Sequence, residues 1–280
     1  MADKNSIHLG ALPHQTDVRD YKLAVKSETF EFPKRFQLDT PRIKNQGAVG
    51  SCVAHSIAEV IEYHNKKQEA TDVIMSIGFI YGNRRNTSYK KEGMYVRKAL
   101  ANACQYGDVA KSDFPFSDKD NVEVPQAIEL FESCFEVVKA DARPNRISTY
   151  FKLTSVDDIK YALMNFGPVI FAVDWREGAY VDDNNVLYLD TKKKKVGGHC
   201  MIIYGWNERG WLIQNSWGSY WGKSGRAILP FYTKLSEAWG VTDEVTSKTP
   251  DIDKPFHNTT FLRWLAKVIN WFANLFKKKK

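Results

Sequence analysis

With 280 residues, 43% of them apolar and 13% aromatic, the chain can bury a substantial core as one large domain or two modest ones. Its formal net charge is +7, and residues 261–280 alone carry Arg263, Lys267 and Lys277 to Lys280 with no acid, six of those seven charges. The remaining 260 residues are nearly neutral, so a body-wide basic surface for nucleic acid is not expected.

The first 44 residues are polar and broken by Pro13, Pro33 and Pro41, which predicts an extended N-terminal arm (1–32) wrapping the surface. From Ser51 the pattern changes. Val53, Ala54, Ile57, Ala58, Val60 and Ile61 recur with a period of 3.6, which predicts a helix starting at or just before Cys52, entered through a tight loop at Gly47 and Gly50. Residues 94–106, "MYVRKALANACQY", predict a second helix closed by Gly107, with Cys104 packed on it. A third, 155–166, opens on the capping box "SVDD" and closes at "FGP".

Beyond Gly167 the reading turns to strands. "PVIFAVDW", "NVLYLD", "GHCMIIYGW" and "GWLIQNSW" are short apolar or alternating bursts between turn residues, arranged as a meander or small barrel. Lysines 192–195 read as a solvated hairpin. The expected class is α+β, with helices mostly in the first half, sheet mostly in the second, and a site in the cleft between them.

A cysteine at a helix N-terminus feels the partial positive charge of unpaired backbone N–H groups, which favours thiolate. Cys52 has that position. Nucleophilic chemistry also needs a base and a group to orient it. His199 opens an apolar strand after Gly197 and Gly198, and Asn215 follows another strand, ahead of Trp217 and Trp221. His55 and His64, on the helix that Cys52 begins, read as core-edge or surface residues instead. The cysteines lack C-x-x-C spacing, and the neighbours His199 and Cys200 would face opposite sides of a strand, so neither metal nor cofactor is expected.

The stretches "QGAVGSCV", "GHCMIIYGW" and "NSWGSYWG", in the order Gln, Cys, His, Asn, resemble the papain-like cysteine peptidases. Two further stretches, "QYGDVAKSDFPF" and "DDIKYALMNFGPVIFAVD", are also similar, and the resemblance spans roughly residues 33–240. It implies a two-lobed fold, with a helical N-terminal lobe and an antiparallel sheet or barrel as the C-terminal lobe. The short start "PHQTDVRDY" is similar to bacterial or phage-type members that lack a long propeptide.

The resemblance implies Cys52 as nucleophile, His199 as general base and then acid, Asn215 as orienter of the imidazole, and Gln46 as an oxyanion donor beside the Cys52 N–H. Trp217 and Trp221 would shield the Asn–His contact and wall the leaving-group side. Gly93, Met94 and Gly198 would contact the substrate. It also implies a thiolate–imidazolium pair at neutral pH, protein or peptide substrates, and hydrolysis through an acyl-enzyme. A catalytically silent peptide-binding scaffold and an acyl transferase are the alternatives. Two positions depart from the family pattern: Val49 stands where a disulfide cysteine is usual, and Val53 where an aromatic follows the nucleophile.

Residues 241–258 are polar, hold two prolines and read as a linker. In 259–280, Arg263, Lys267, Asn270 and Asn274 form one narrow polar stripe on an otherwise apolar helix. Its apolar run, Phe261 to Phe276, would extend about 24 Å against a bilayer core of about 30 Å. The expectation is an amphipathic basic helix lying on an anionic membrane surface. With no signal peptide at the start, the expected location is cytoplasmic, peripheral at the inner membrane face.

Overall fold

The computed structural model describes residues 8–15, 17–18, 20–23, 30–40, 42–69, 72–114 and 124–243. The expected linker, for all but its first three residues, and the expected amphipathic helix lie outside the described residues.

Helix α1 (Cys52–Glu69) runs through the middle of the molecule. Its apolar stripe, Val53, Ala54, Ile57, Ala58, Val60 and Ile61, is buried as the periodicity predicts. Its polar side is buried as well. His55 is 0% exposed and His64 5%, which corrects the expectation of an edge or surface position for both. The reason is geometric: α1 packs against the sheet on one side and against α2 (Ile77–Gly82) and α3 (Val96–Tyr106) on others, so no flank of its first three turns reaches water. Charge on it is paired accordingly, Lys44 Nζ lying 2.6 Å from Glu62 Oε1. Helix α4 (Val124–Ala142), which the sequence reading passed over, packs on α2 and builds a separate small cluster from Phe79, Phe131, Phe135 and Val138. Helix α5 (Val156–Asn165) has the predicted capping box, Ser155 accepting from the Asp158 N–H while the Asp158 carboxylate accepts from the Ser155 N–H.

The strands are β1 (Phe36–Gln37), β2 (Thr149–Lys152), β3 (Val169–Arg176), β4 (Tyr180–Val181), β5 (Leu187–Tyr188), β6 (Lys195–Asn207), β7 (Gly210–Gln214), β8 (Arg226–Leu229) and β9 (Glu237–Thr242). The main sheet runs β2-β9-β3-β6-β7-β8, with β1 added to β6. Its strand pairs are antiparallel. "NVLYLD" contributes no full strand to it: only Leu187 and Tyr188 are strand, and they pair with β4 in a two-stranded ribbon, which touches the main sheet through a single parallel bridge from Val186 to Ile228 of β8. Between β4 and β5 the chain turns at Asn185 with φ 62, and Val186 N donates to the Asp182 carboxylate, while Asn185 O accepts from the Ile228 N–H at 2.8 Å.

The fold is α+β, with α1 laid across β3 and β6. One core cluster joins Cys52, Ala54 and Ile57 of α1 to Ala172, Cys200 and Ile202 of the sheet. A second lies on the other face, around Trp175, Trp206 and Trp211. The cleft therefore opens where the start of α1 meets the start of β6.

The N-terminal arm corrects another expectation. Residues 8–14 do not lie on the outer surface; they enter the cleft. Ala11 forms a parallel bridge with Met94, Met94 N donates to Gly10 O at 2.7 Å, and Leu12 N donates to Met94 O at 2.9 Å. On the opposite wall Ala11 N donates to Gly198 O at 3.0 Å.

Candidate active site

Cys52 is the first residue of α1, and the loop before it is tied back on itself. Val49 N donates to Gln46 O, Ser51 N to Val49 O, and the His55 ring sits 3.0 Å from Ser51 O. These bonds fix the entry to the helix, so the sulfur stands where the N–H groups of its first turn are unpaired.

His199 lies on β6 opposite Val173 of β3. Its Nε2 is 2.8 Å from Asn215 Oδ1, which also accepts from the Ser216 N–H at 2.8 Å. An Nε2–H donating to that oxygen leaves Nδ1 as a lone pair, and Nδ1 is buried without a hydrogen-bond partner. Trp217 stacks on the imidazole with centroids 4.4 Å apart, and Trp175 meets it edge-on at 5.4 Å. Trp221 backs Trp217 at 6.0 Å. Held between two indoles and an amide, the ring has one free polar edge. Cys200, the next residue along β6, packs with Cys52 in one buried cluster, and its backbone favours the charged form of that thiol.

Gln46 sits across the loop. Its Oε1 accepts from Ser216 Oγ at 2.7 Å, and its Nε2 donates to Val49 O at 2.7 Å and to His8 O at 3.0 Å. The last contact places a peptide carbonyl against the side chain expected to hold an oxyanion. Gly93 is fixed by Arg84, whose Nη1 donates to its carbonyl at 2.6 Å. Met94, Gly93 and Gly198 line the path of the arm, so all nine residues selected from the sequence gather around one cleft.

Burial governs the electrostatics. Cys52 and His199 are both fully buried. Burial pushes the Cys52 thiol up to about 11, against the backbones of Cys200 and Gly10, which favour its charged form, and pushes His199 down to about 4 despite its bond to Asn215. Both shifts run against the expected thiolate–imidazolium pair, because either charge would be desolvated in this closed arrangement. The fit is close. A Cβ on Gly10 would land on the Gly50 carbonyl, and one on Gly198 on the Ala11 carbonyl, so only glycine lets these backbones approach.

Sequence reasoning missed two participants, Ser216, which ties Asn215 and Gln46 together, and Trp175, which meets the His199 ring edge-on. Ser216 was available inside "NSWG"; Trp175 acts through a tertiary contact that no local pattern marks. The four cysteines are free, and among the described residues no group of three or more His, Cys, Asp or Glu is disposed to hold a metal.

Comparison with known proteins agrees with this geometry. A peptidase C1-like protein of Acanthamoeba polyphaga mimivirus is 29% identical over 220 residues, covering 72% of this chain and 70% of its own. Cathepsin K of Mus musculus is 26% identical over 214 residues, and there the match spans 72% of this chain but only 59% of the cathepsin. Among solved structures, xylellain, a cysteine protease from Xylella fastidiosa, superimposes with a TM-score of 0.73 over 87% of this chain and 99% of its own at 22% identity, which speaks to the fold. The family model for papain family cysteine proteases matches residues 29–247, and the chain belongs to that family.

Proposed function

We propose that the chain is a thiol-dependent endopeptidase that cleaves peptide bonds through an acyl-enzyme on Cys52. The observation that carries this reading is the His199 ring, fixed by Asn215 and Trp217 with Nδ1 unpartnered, on the strand whose next residue, Cys200, packs with Cys52 in one buried cluster. Once the arm has left and water and substrate have entered, His199 Nδ1 takes the thiol proton and the sulfur attacks the peptide carbonyl. Gln46 Nε2 and the Cys52 N–H hold the oxyanion, and the imidazolium returns its proton to the departing amine. Water activated by the same ring then hydrolyses the thioester. Since His8 O occupies the Gln46 amide and Gly10 O the Met94 N–H, arm and substrate exclude one another.

Internally quenched peptides test the activity. The chain is expected to hydrolyse them, Cys52→Ala to abolish turnover, and His199→Ala to cost as much, since the two act as a unit. Turnover by Cys52→Ala equal to the parent's would contradict the reading.

The membrane part of the proposal is supported by sequence alone: an apolar run that would span ~24 Å as a helix, with tryptophans among its apolar residues and four terminal lysines, suits the interface of an anionic bilayer at the cytoplasmic side. The intact chain should co-sediment with anionic liposomes, and the chain lacking residues 259–280 should not. Recovery of the intact chain in the supernatant would remove the anchor.

A further inference from the structure

We propose that Glu92 is a positioning residue for the oxyanion donors, its carboxylate locking the one peptide unit on which the Gln46 amide leans. The inference rests on the peptidase reading above and deepens it. Glu92 Oε1 accepts from the Gly50 N–H at 2.5 Å. That N–H belongs to the same planar unit as the Val49 carbonyl, and in a trans peptide the two point in opposite directions, so holding one aims the other. The carbonyl is aimed into the loop, where it accepts from Gln46 Nε2 at 2.7 Å and from Ser51 N at 2.8 Å. Through one rigid peptide, Glu92 is thus joined both to the side chain that holds the oxyanion and to the residue just before Cys52.

The bond gains weight when the arm lifts. With the arm seated, Gln46 Nε2 also donates to His8 O, and Leu9 O crowds Gly50 so closely that a Cβ there would come within 2.8 Å of it. Both contacts go with the arm. Gln46 then keeps Ser216 Oγ and Val49 O, with one amide hydrogen free for substrate, and a peptide unit able to rotate would let that hydrogen swing away. No covalent bond prevents the rotation: the four cysteines are free, and Val49 itself stands where a disulfide cysteine is usual. The carboxylate supplies the missing tie, and with a charge-assisted bond, the stronger kind.

Glu92 occupies an exposed position, yet its backbone is braced on both sides. Its carbonyl accepts from Tyr89 Oη at 2.8 Å, and the next residue, Gly93, donates its N–H to Tyr81 Oη at 3.2 Å and receives buried Arg84 on its carbonyl at 2.6 Å. The reach of the carboxylate is therefore fixed. Gly50 is shaped to receive it, since a Cβ there would come within 2.9 Å of Glu92 Cγ.

The test uses the full chain carrying Gly10→Val, which lifts the arm, and adds Glu92→Ala, Glu92→Asp or Glu92→Gln. Two rates are read for each: hydrolysis of a quenched peptide, which passes through an oxyanion, and alkylation of Cys52 by iodoacetamide, which displaces iodide at a saturated carbon and forms none. The expected result is a fall of about 10- to 100-fold in kcat with KM little changed for Glu92→Ala. Glu92→Asp should fall similarly, because it keeps the charge but is one methylene too short. Glu92→Gln, which keeps the length and an acceptor oxygen, should stay within about threefold of the Gly10→Val chain, and Cys52 alkylation should be alike in all four. An unchanged kcat in Glu92→Ala, alkylation that falls in step with hydrolysis, or activity kept by Glu92→Asp and lost in Glu92→Gln overturns the assignment while leaving the peptidase intact. Absence of hydrolysis by the Gly10→Val chain itself, with Cys52 no more reactive than the other thiols, overturns the peptidase reading and this one with it.

Discussion

Asn215 illustrates how one amide divides its work. Its Oδ1 holds both His199 Nε2 and the Ser216 N–H, so it orients the ring and ties the loop that positions Gln46. Trp217 stacking also restrains the ring, so Asn215→Ala should leave a fraction of activity, a fall of about 10- to 100-fold in kcat with KM little changed. Loss as complete as that of His199→Ala, or a change confined to KM, would show that the amide does something else. Gln46, Cys52, His199 and Asn215 were legible in sequence because each sits in a short stretch whose glycines, strand or tryptophans mark it. The contact that joins His14 of the arm to Glu237 was not, since it links residues 223 positions apart.

At the scale of elements, the arm and α4 failed to declare themselves for different reasons. Along α4, Ala127, Phe131, Cys134, Phe135, Val138 and Ala142 recur at three and four, and Pro125 suits a first turn, so its signal was present and unused. The arm is held chiefly through its backbone, by bonds to Met94, Gly198 and Gln46, which side-chain periodicity does not encode. Its charged residues then fasten it: Arg97 pairs with Asp17 at 3.0 Å and with Asp20, and Lys152 and Glu237 flank His14. Only Gly10 hinted at a close approach. Replacing it by valine forces a side chain into the Gly50 carbonyl, and the arm must lift. Peptide hydrolysis by full-length Gly10→Val should exceed that of the parent several-fold at equal enzyme concentration. Equal or lower rates would mean that the arm does not limit access.

For the whole molecule, the placement of α1 at the centre makes stability depend on pH. Burial lowers His64 to about 4. A histidine whose folded pKa is below its unfolded value near 6.5 must stay neutral in the native state, so the unfolded chain takes up the proton first, and stability falls as pH drops from 6.5 towards 4, by up to roughly 1.4 kcal/mol per unit. Glu59 works in the opposite sense, being raised to about 8 by burial: its contribution falls as pH rises from about 4.5 to 8. The comparison that isolates the histidine is His64→Leu against the parent. The variant's melting temperature should decline less between pH 6.5 and 4, and parallel curves would show that His64 is not the group responsible. The same centrality joins the two halves of the site, since α1 carries the thiol and the sheet behind it carries the base.

The account turns on a cysteine made reactive by the neighbouring imidazole and silenced by the arm. Its most direct test is the rate of iodoacetamide alkylation at each cysteine, followed by mass spectrometry at pH 7 in the full-length chain. In Gly10→Val, Cys52 should be alkylated well before Cys104, Cys134 and Cys200, faster than in the parent, and adding His199→Ala should remove that advantage. Alkylation of all four thiols at similar rates in Gly10→Val, or a Cys52 rate indifferent to His199, would contradict the account.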